Sequence, residues 1–161
     1  MMNTFGNPLV HTLIRIALKE AQKASAKGEV PVAALVLKNN HIISKTHNMV
    51  QTKNDPTQHA EILAIKKALK ILHVSRLEGC HMFTTLEPCA MCAGAIVLAR
   101  IDKLYILAKD EKTGACGSVI SVIPHHKLNH RPLIEWCDNY PEYTLMLKQF
   151  FKELRIKGSR L

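Results

Sequence analysis

The run Ala90–Ala99 constrains this chain more than any other segment. It is apolar without interruption and stops at Arg100. A bilayer-spanning helix needs about 20 such residues, so the run is too short to cross a membrane. Taken with Cys89, it reads as a helix that is apolar almost all round. Such a helix has to be buried, with packing partners in more than one layer. The rest of the chain supplies them. Leu9–Ala26 carries Leu9, Leu13, Ile16, Ala17 and Ala21 at helical spacing, and Gly28 closes it. Val32–Leu37 predicts a buried strand, Asn39–Asn40 a tight turn, and His41–Thr46 the returning strand of a hairpin. Gln51–Thr57 reads as a polar loop, Ala60–Leu72 as a second helix and Cys80–Thr85 as a third strand. Beyond the apolar helix come a strand at Lys103–Ala108, a Gly-containing loop at Thr113–Ser118, a fifth strand at Pro132–Trp136 and a last helix at Pro141–Ile156. No repeat or linker interrupts this order, so one domain is expected over residues 1–161. Strands alternating with helices predict an α/β fold whose sheet is covered on both faces.

Charge narrows the partner. The chain has 22 Lys+Arg against 13 Asp+Glu, a formal net charge of +9. With 47% hydrophobic residues it is not a disordered polycation, and 7 Gly with 7 Pro exclude a collagen-like chain. The charge therefore sits on a folded body. That points to an acidic partner, nucleic acid ahead of membrane, with a merely soluble basic surface as the alternative. Met1–Val10 has neither a basic start nor a long apolar core, so no secretory signal is expected and the cytoplasm is the expected compartment. The cysteines are Cys80, Cys89, Cys92, Cys116 and Cys137. An odd number in such a compartment argues for metal or catalytic use rather than a disulfide framework.

Two clusters carry chemistry. His59-Ala60-Glu61 opens one predicted helix, and Pro88-Cys89-Ala90-Met91-Cys92 opens another. Positions i and i+2 of a helix point roughly 200° apart. His59 and Glu61 can therefore share a target only beyond the helix end, whereas Cys89 and Cys92 share a face. A metal between two helix N-termini satisfies both, because positive partial charge there favours thiolates. One imidazole and two thiolates suit zinc, and three ligands leave one position open for a water whose proton Glu61 can carry. Each half also has a plainer reading. C-x-x-C alone serves structural zinc or redox pairs, and a structural site would need a fourth ligand such as His47, Cys80, His81 or Cys116.

The conjunction resembles the zinc-dependent cytidine/deoxycytidylate deaminase superfamily. Longer segments are similar to its tRNA-specific adenosine deaminase branch. They are Glu29-Val30-Pro31-Val32, Asp55 to Ile62, Thr85 to Ile96, Asp110 to Ser118 and Leu128 to Pro132. The resemblance implies a three-layer α/β/α sandwich around a five-stranded mixed sheet, and a homodimer. It implies one zinc per subunit on His59, Cys89 and Cys92, with Glu61 as general acid and base. It further implies that Asn48 bonds the target purine, that the Ala60 N–H meets the exocyclic group, and that Asp110 contacts RNA near it. The Phe150-Phe151 helix would hold an anticodon loop. Ala33, Gln58 and Lys109 depart from the branch's usual residues.

Other residues fit an RNA approach. Arg131 beside Asn129 can contact phosphate. Lys109, Lys112 and the basic tail of Lys148, Lys152, Arg155, Lys157 and Arg160 should line the way to the metal. His125, His126 and His130 read as a solvated loop, and of Cys80, Cys116 and Cys137 the second is the one expected to be exposed. The leading expectation is hydrolytic deamination of adenosine in a tRNA anticodon stem-loop. The alternatives are a deaminase of free guanine or cytidine, or a non-catalytic RNA-binding module with structural zinc.

Overall fold

A computed structural model of the chain describes residues 8–123, 125–137 and 140–158. Along the chain come α1 (Pro8–Ala26), β1 (Ala33–Lys38), β2 (His41–His47), α2 (Val50–Lys53), α3 (Ala60–Leu72), β3 (Cys80–Thr84), α4 (Ala90–Leu98), β4 (Lys103–Ile106), β5 (Leu133–Trp136) and α5 (Pro141–Ile156). The sheet order is β2-β1-β3-β4-β5. Strand β1 runs antiparallel to β2 and β3, while β3, β4 and β5 are mutually parallel. This is the expected mixed sheet of five strands. Asn39 and Asn40 both take positive φ, 50° and 64°, as a two-residue hairpin turn of type I′ requires.

Strand β1 is buried on both sides, which explains its unbroken apolar sequence. Ala33, Leu35 and Leu37 face one layer with Val10, Leu13, Ile14, Ala17 and Ala21 of α1 and Tyr143 of α5. Ala34 and Val36 face the other, with Ala60, Ala64, Ile65 and Ala68 of α3 and Ala93, Ile96 and Val97 of α4. Alternation along the strand divides the two cores. Among the described residues, no helix is long and apolar enough to cross a membrane.

Three expectations are corrected. The segment 51–57 is not wholly loop, because Val50–Lys53 forms α2 and Asn54 closes it in the left-handed region at φ 49°. The cause lies upstream: the buried Glu29 carboxylate accepts the N–H groups of Gln51 (3.1 Å) and Thr52 (2.6 Å) at the helix start. Helix α4 is not buried all round. Cys92, Ala93, Ile96 and Val97 are, but Met91 is 37% and Leu98 80% exposed, since the core shared with the sheet and α3 takes only the face of Ala93, Ile96 and Val97. Cys116 is 5% exposed rather than open, because its loop folds inward, and Cys80 and Cys137 are buried as well. Arg160 of the basic tail and the first seven residues lie outside the described residues.

Candidate active site

Helices α3 and α4 pack together. Their first residues do not carry the metal-ligand pattern alone, because His59 is the N-cap of α3 and Cys89 the N-cap of α4. Both are extended, at φ −71°, ψ 151° and φ −71°, ψ 173°. A cap residue sits half outside its helix and can send its side chain past the end. This resolves the i, i+2 problem: His59 reaches out from the cap while Glu61 stands in the first turn. Cys92 lies three residues beyond its cap, the spacing that brings N-cap and N3 side chains to one corner.

Neither side chain makes a capping hydrogen bond. His59 Nδ1 instead lies 3.6 Å from Cys89 Sγ and 3.6 Å from Cys92 Sγ. Tetrahedral zinc with ordinary bond lengths sets nitrogen–sulfur separations of about 3.6 Å. The donor set therefore fits zinc, and the three ligand atoms all fall within 4.8 Å of one another. Among the described residues no fourth His, Cys, Asp or Glu joins them. His47 is bonded to Glu20 at 2.9 Å, and His81 leans on the Tyr105 ring with centroids 6.1 Å apart.

The charges are uneven. A hydrogen bond from Cys92 pulls the Cys89 thiol down to about 4, against burial and with help from His59. The same bond, with burial, pushes Cys92 upward. His59 is raised, chiefly by its bond to Cys89 and against burial. Glu61 is 3% exposed, and burial pushes its carboxyl up to about 7. Its Oε2 has no hydrogen-bond partner. An unpartnered buried carboxylate oxygen is costly for stability, and carboxyls raised in this way cluster at functional sites.

The other residues expected at the site differ in what they bond. Asn48 Oδ1 accepts the Ala60 N–H at 2.9 Å. That N–H, which the resemblance assigned to the substrate's exocyclic group, is therefore given to Asn48, because a first-turn N–H has no partner inside its own helix. The Asn48 amide N–H₂ group keeps its donors. Asp110 accepts the N–H groups of Lys112 (2.9 Å) and Thr113 (3.2 Å) and the Thr113 hydroxyl (2.7 Å), so its carboxylate closes its own turn. Lys112 Nζ stands 5.7 Å from the centre of the Phe151 ring, which joins this turn to α5. Phe150 is in the core, leaving Phe151 as the accessible member of the pair. Lys148, Lys152 and Arg155 are exposed at spacings that share one helix face. The Asn129 carbonyl accepts from Arg100 at 3.2 Å, and Arg131 is exposed. His125 and His126 stack at 4.9 Å, while His130 bonds the Ile101 carbonyl at 2.6 Å, so these three do not form a metal cluster.

Sequence reasoning assigned no role to Glu29 or Glu87, both buried. A usable signal existed for Glu87. It stands between Leu86 and Pro88 at the end of a buried strand, where an acid without a neighbouring base needs backbone N–H groups.

A family model of MafB19-like deaminases matches residues 11–155. The chain is 48% identical over 144 residues to the tRNA-specific adenosine deaminase of Aquifex aeolicus, covering 88% of this chain and 93% of that protein. It is 43% identical over 141 residues to the Bacillus subtilis protein of the same name, covering 88% of each. A structure from a study of A-to-I editing by tRNA:A34 deaminases at the wobble position superposes with TM-score 0.74 at 38% identity. That match covers 76% of this chain and 95% of the other. The guanine deaminase of Bacillus subtilis superposes at TM-score 0.59 and 38% identity over 67% and 66%. With a family model matching most of its length and relatives 43% and 48% identical, the chain belongs to the deaminase family that contains the tRNA-specific adenosine deaminases.

Proposed function

We propose that this chain hydrolyses the amino group of the wobble adenosine in a tRNA anticodon, leaving inosine. The observation that carries this reading is the buried, unpartnered Oε2 of Glu61 beside the His59, Cys89 and Cys92 donors. Those three would hold one zinc per subunit, which when bound supplies the Lewis acidity that makes water a nucleophile near neutral pH. Glu61 takes a proton from the attacking water, passes it to the ring nitrogen, and serves the amine as the carbon–nitrogen bond breaks and ammonia leaves. A carboxyl raised to about 7 suits both directions of transfer. Asn48 donates its amide N–H to the purine while its oxygen stays on Ala60.

The anticodon loop is single-stranded, so its base can be splayed out to reach the floor. Lys112, Phe151, the Asp110 turn, Asn129 and Arg131 form the rim that grips it, Phe150 supports Phe151 from the core, and the basic face of α5 follows the phosphates. The net charge of +9 supports an RNA rather than a small-molecule substrate. The exposed Met91 and Leu98 of α4 support a homodimer that covers them. The single domain would work in the cytoplasm, where tRNA is found.

A second reading, deamination of free guanine, has the likeness to the guanine deaminase in its favour. One assay separates the two. An RNA stem-loop with adenosine at the wobble position is incubated with the zinc-loaded protein, and inosine is expected. No inosine, with ammonia released from free guanine or cytidine, overturns the first reading. Full function retained by Glu61→Ala would instead favour a non-catalytic module with structural zinc.

A further inference from the structure

Glu87 lies between β3 and α4, just before Pro88 and the ligand Cys89. Its carboxylate is 2% exposed, and no ion pair among the described residues includes it. Its partners are backbone N–H groups: Oε2 accepts from Asp110 at 3.0 Å, and Oε1 from Cys116 at 2.9 Å and Ser118 at 3.1 Å. The segment 110–118 is therefore wound around one carboxylate. Gly114 shows how closely. A Cβ there would come within 2.5 Å of the Glu87 carboxyl carbon and Oε2, and within 2.5 Å of the Asp110 carbonyl. Two backbone bonds fasten the assembly to the floor, from the Glu87 N–H to the Ala108 carbonyl at 2.8 Å and from the Ala115 N–H to the Pro88 carbonyl at 2.8 Å. The Asp110 turn, with Lys112 against Phe151, is carried on the same segment.

We infer that Glu87 is a positioning residue that sets the rim segment 110–118 against the metal-binding helix start, and so fixes the seat of the RNA nucleotide. This rests on the proposed function. An ionised carboxylate is an acceptor on both oxygens, which is what three converging N–H groups need. An amide of the same shape cannot replace it, because in either orientation its NH₂ group faces at least one N–H donor. The segment would then lose its frame while His59, Glu61, Cys89 and Cys92 keep theirs.

The test is Glu87→Gln in the zinc-loaded protein, assayed with the stem-loop RNA. KM is expected to rise about tenfold or more, with kcat within about threefold, as for a lost charged hydrogen bond that acts on binding. Zinc content should be unchanged, and the amides of Asp110, Cys116 and Ser118 should exchange hydrogen faster. A merely destabilised protein would lose active molecules, lowering kcat at unchanged KM, and that result overturns the inference. So does unchanged KM with unchanged amide protection. Should Glu87→Gln fail to fold, Gly114→Ala keeps the carboxylate and pushes the segment off it, with the same expected split. If the unsubstituted protein makes no inosine, the proposed function falls, while the amide exchange still decides whether Glu87 frames the segment.

Discussion

The floor and the rim of the site are built on opposite principles. On the floor, His59, Glu61, Cys89 and Cys92 are fixed by two helix starts, each specified by residues a few positions apart. Around it, the segment 110–118 is wound around an acid far away in sequence, Glu87, as the short helix α2 is held at its start by Glu29. Under the proposed function, the chemistry falls to two helix starts of packed helices. Recognition would then fall to segments set by a few hydrogen bonds, where small changes re-aim a loop without disturbing the reaction.

If this division holds, substitutions should sort by region. The largest effect belongs to the floor: Glu61→Gln should lower kcat by about 10²–10⁴-fold, the usual worth of a positioned acid–base group, with zinc and RNA still bound. Single-turnover inosine formation, metal analysis and RNA titration check it, and weakened RNA binding would blur the division. On the outer rim, Lys112→Ala or Lys152→Ala should raise KM a few-fold and reduce the salt dependence of RNA binding by about one unit of log–log slope each. An unchanged slope would remove that lysine from the RNA path.

The smallest effect on turnover, though not on stability, is expected from Glu29→Gln. Burial raises the Glu29 carboxyl, but hydrogen bonds from Thr52 and Gln51 outweigh it and hold the group below its usual 4.5. A carboxyl lower in the folded than in the unfolded chain adds stability that is complete above the unfolded value. That stability is lost as pH falls through the folded value. The variant should thus be about 1–3 kcal/mol less stable near neutral pH, and the gap should close as acid is added below 4.5. Urea unfolding at several pH values measures this, and a gap independent of pH would mean that Glu29 acts through packing.

The same contrast explains what could be read in the sequence. Ala60–Leu72 was legible to the residue, and the Asn39–Asn40 turn by its chemistry, because their causes are local. His59, Glu61, Cys89 and Cys92 stood out since their spacing has few other uses, and the structure brings the three donors together. Helix α2 was missed because its stabilising carboxylate is more than 20 residues upstream. Glu87 went unassigned because its partners lie 23 to 31 residues downstream. The exposed Leu98 contradicts all-round burial of α4, since an apolar pattern shows that a face is oily but not what covers it.

Placing His59 and Cys89 at cap positions has a consequence for protein supply. Helix starts are usually tied by Ser, Thr, Asp or Asn side chains, and α3 and α4 have given that place to metal donors. A bound ion would therefore rivet two helices that no cap side chain secures, so its binding energy is also folding energy. Metal scarcity would then register as a shortage of folded chains rather than as a stock of idle ones.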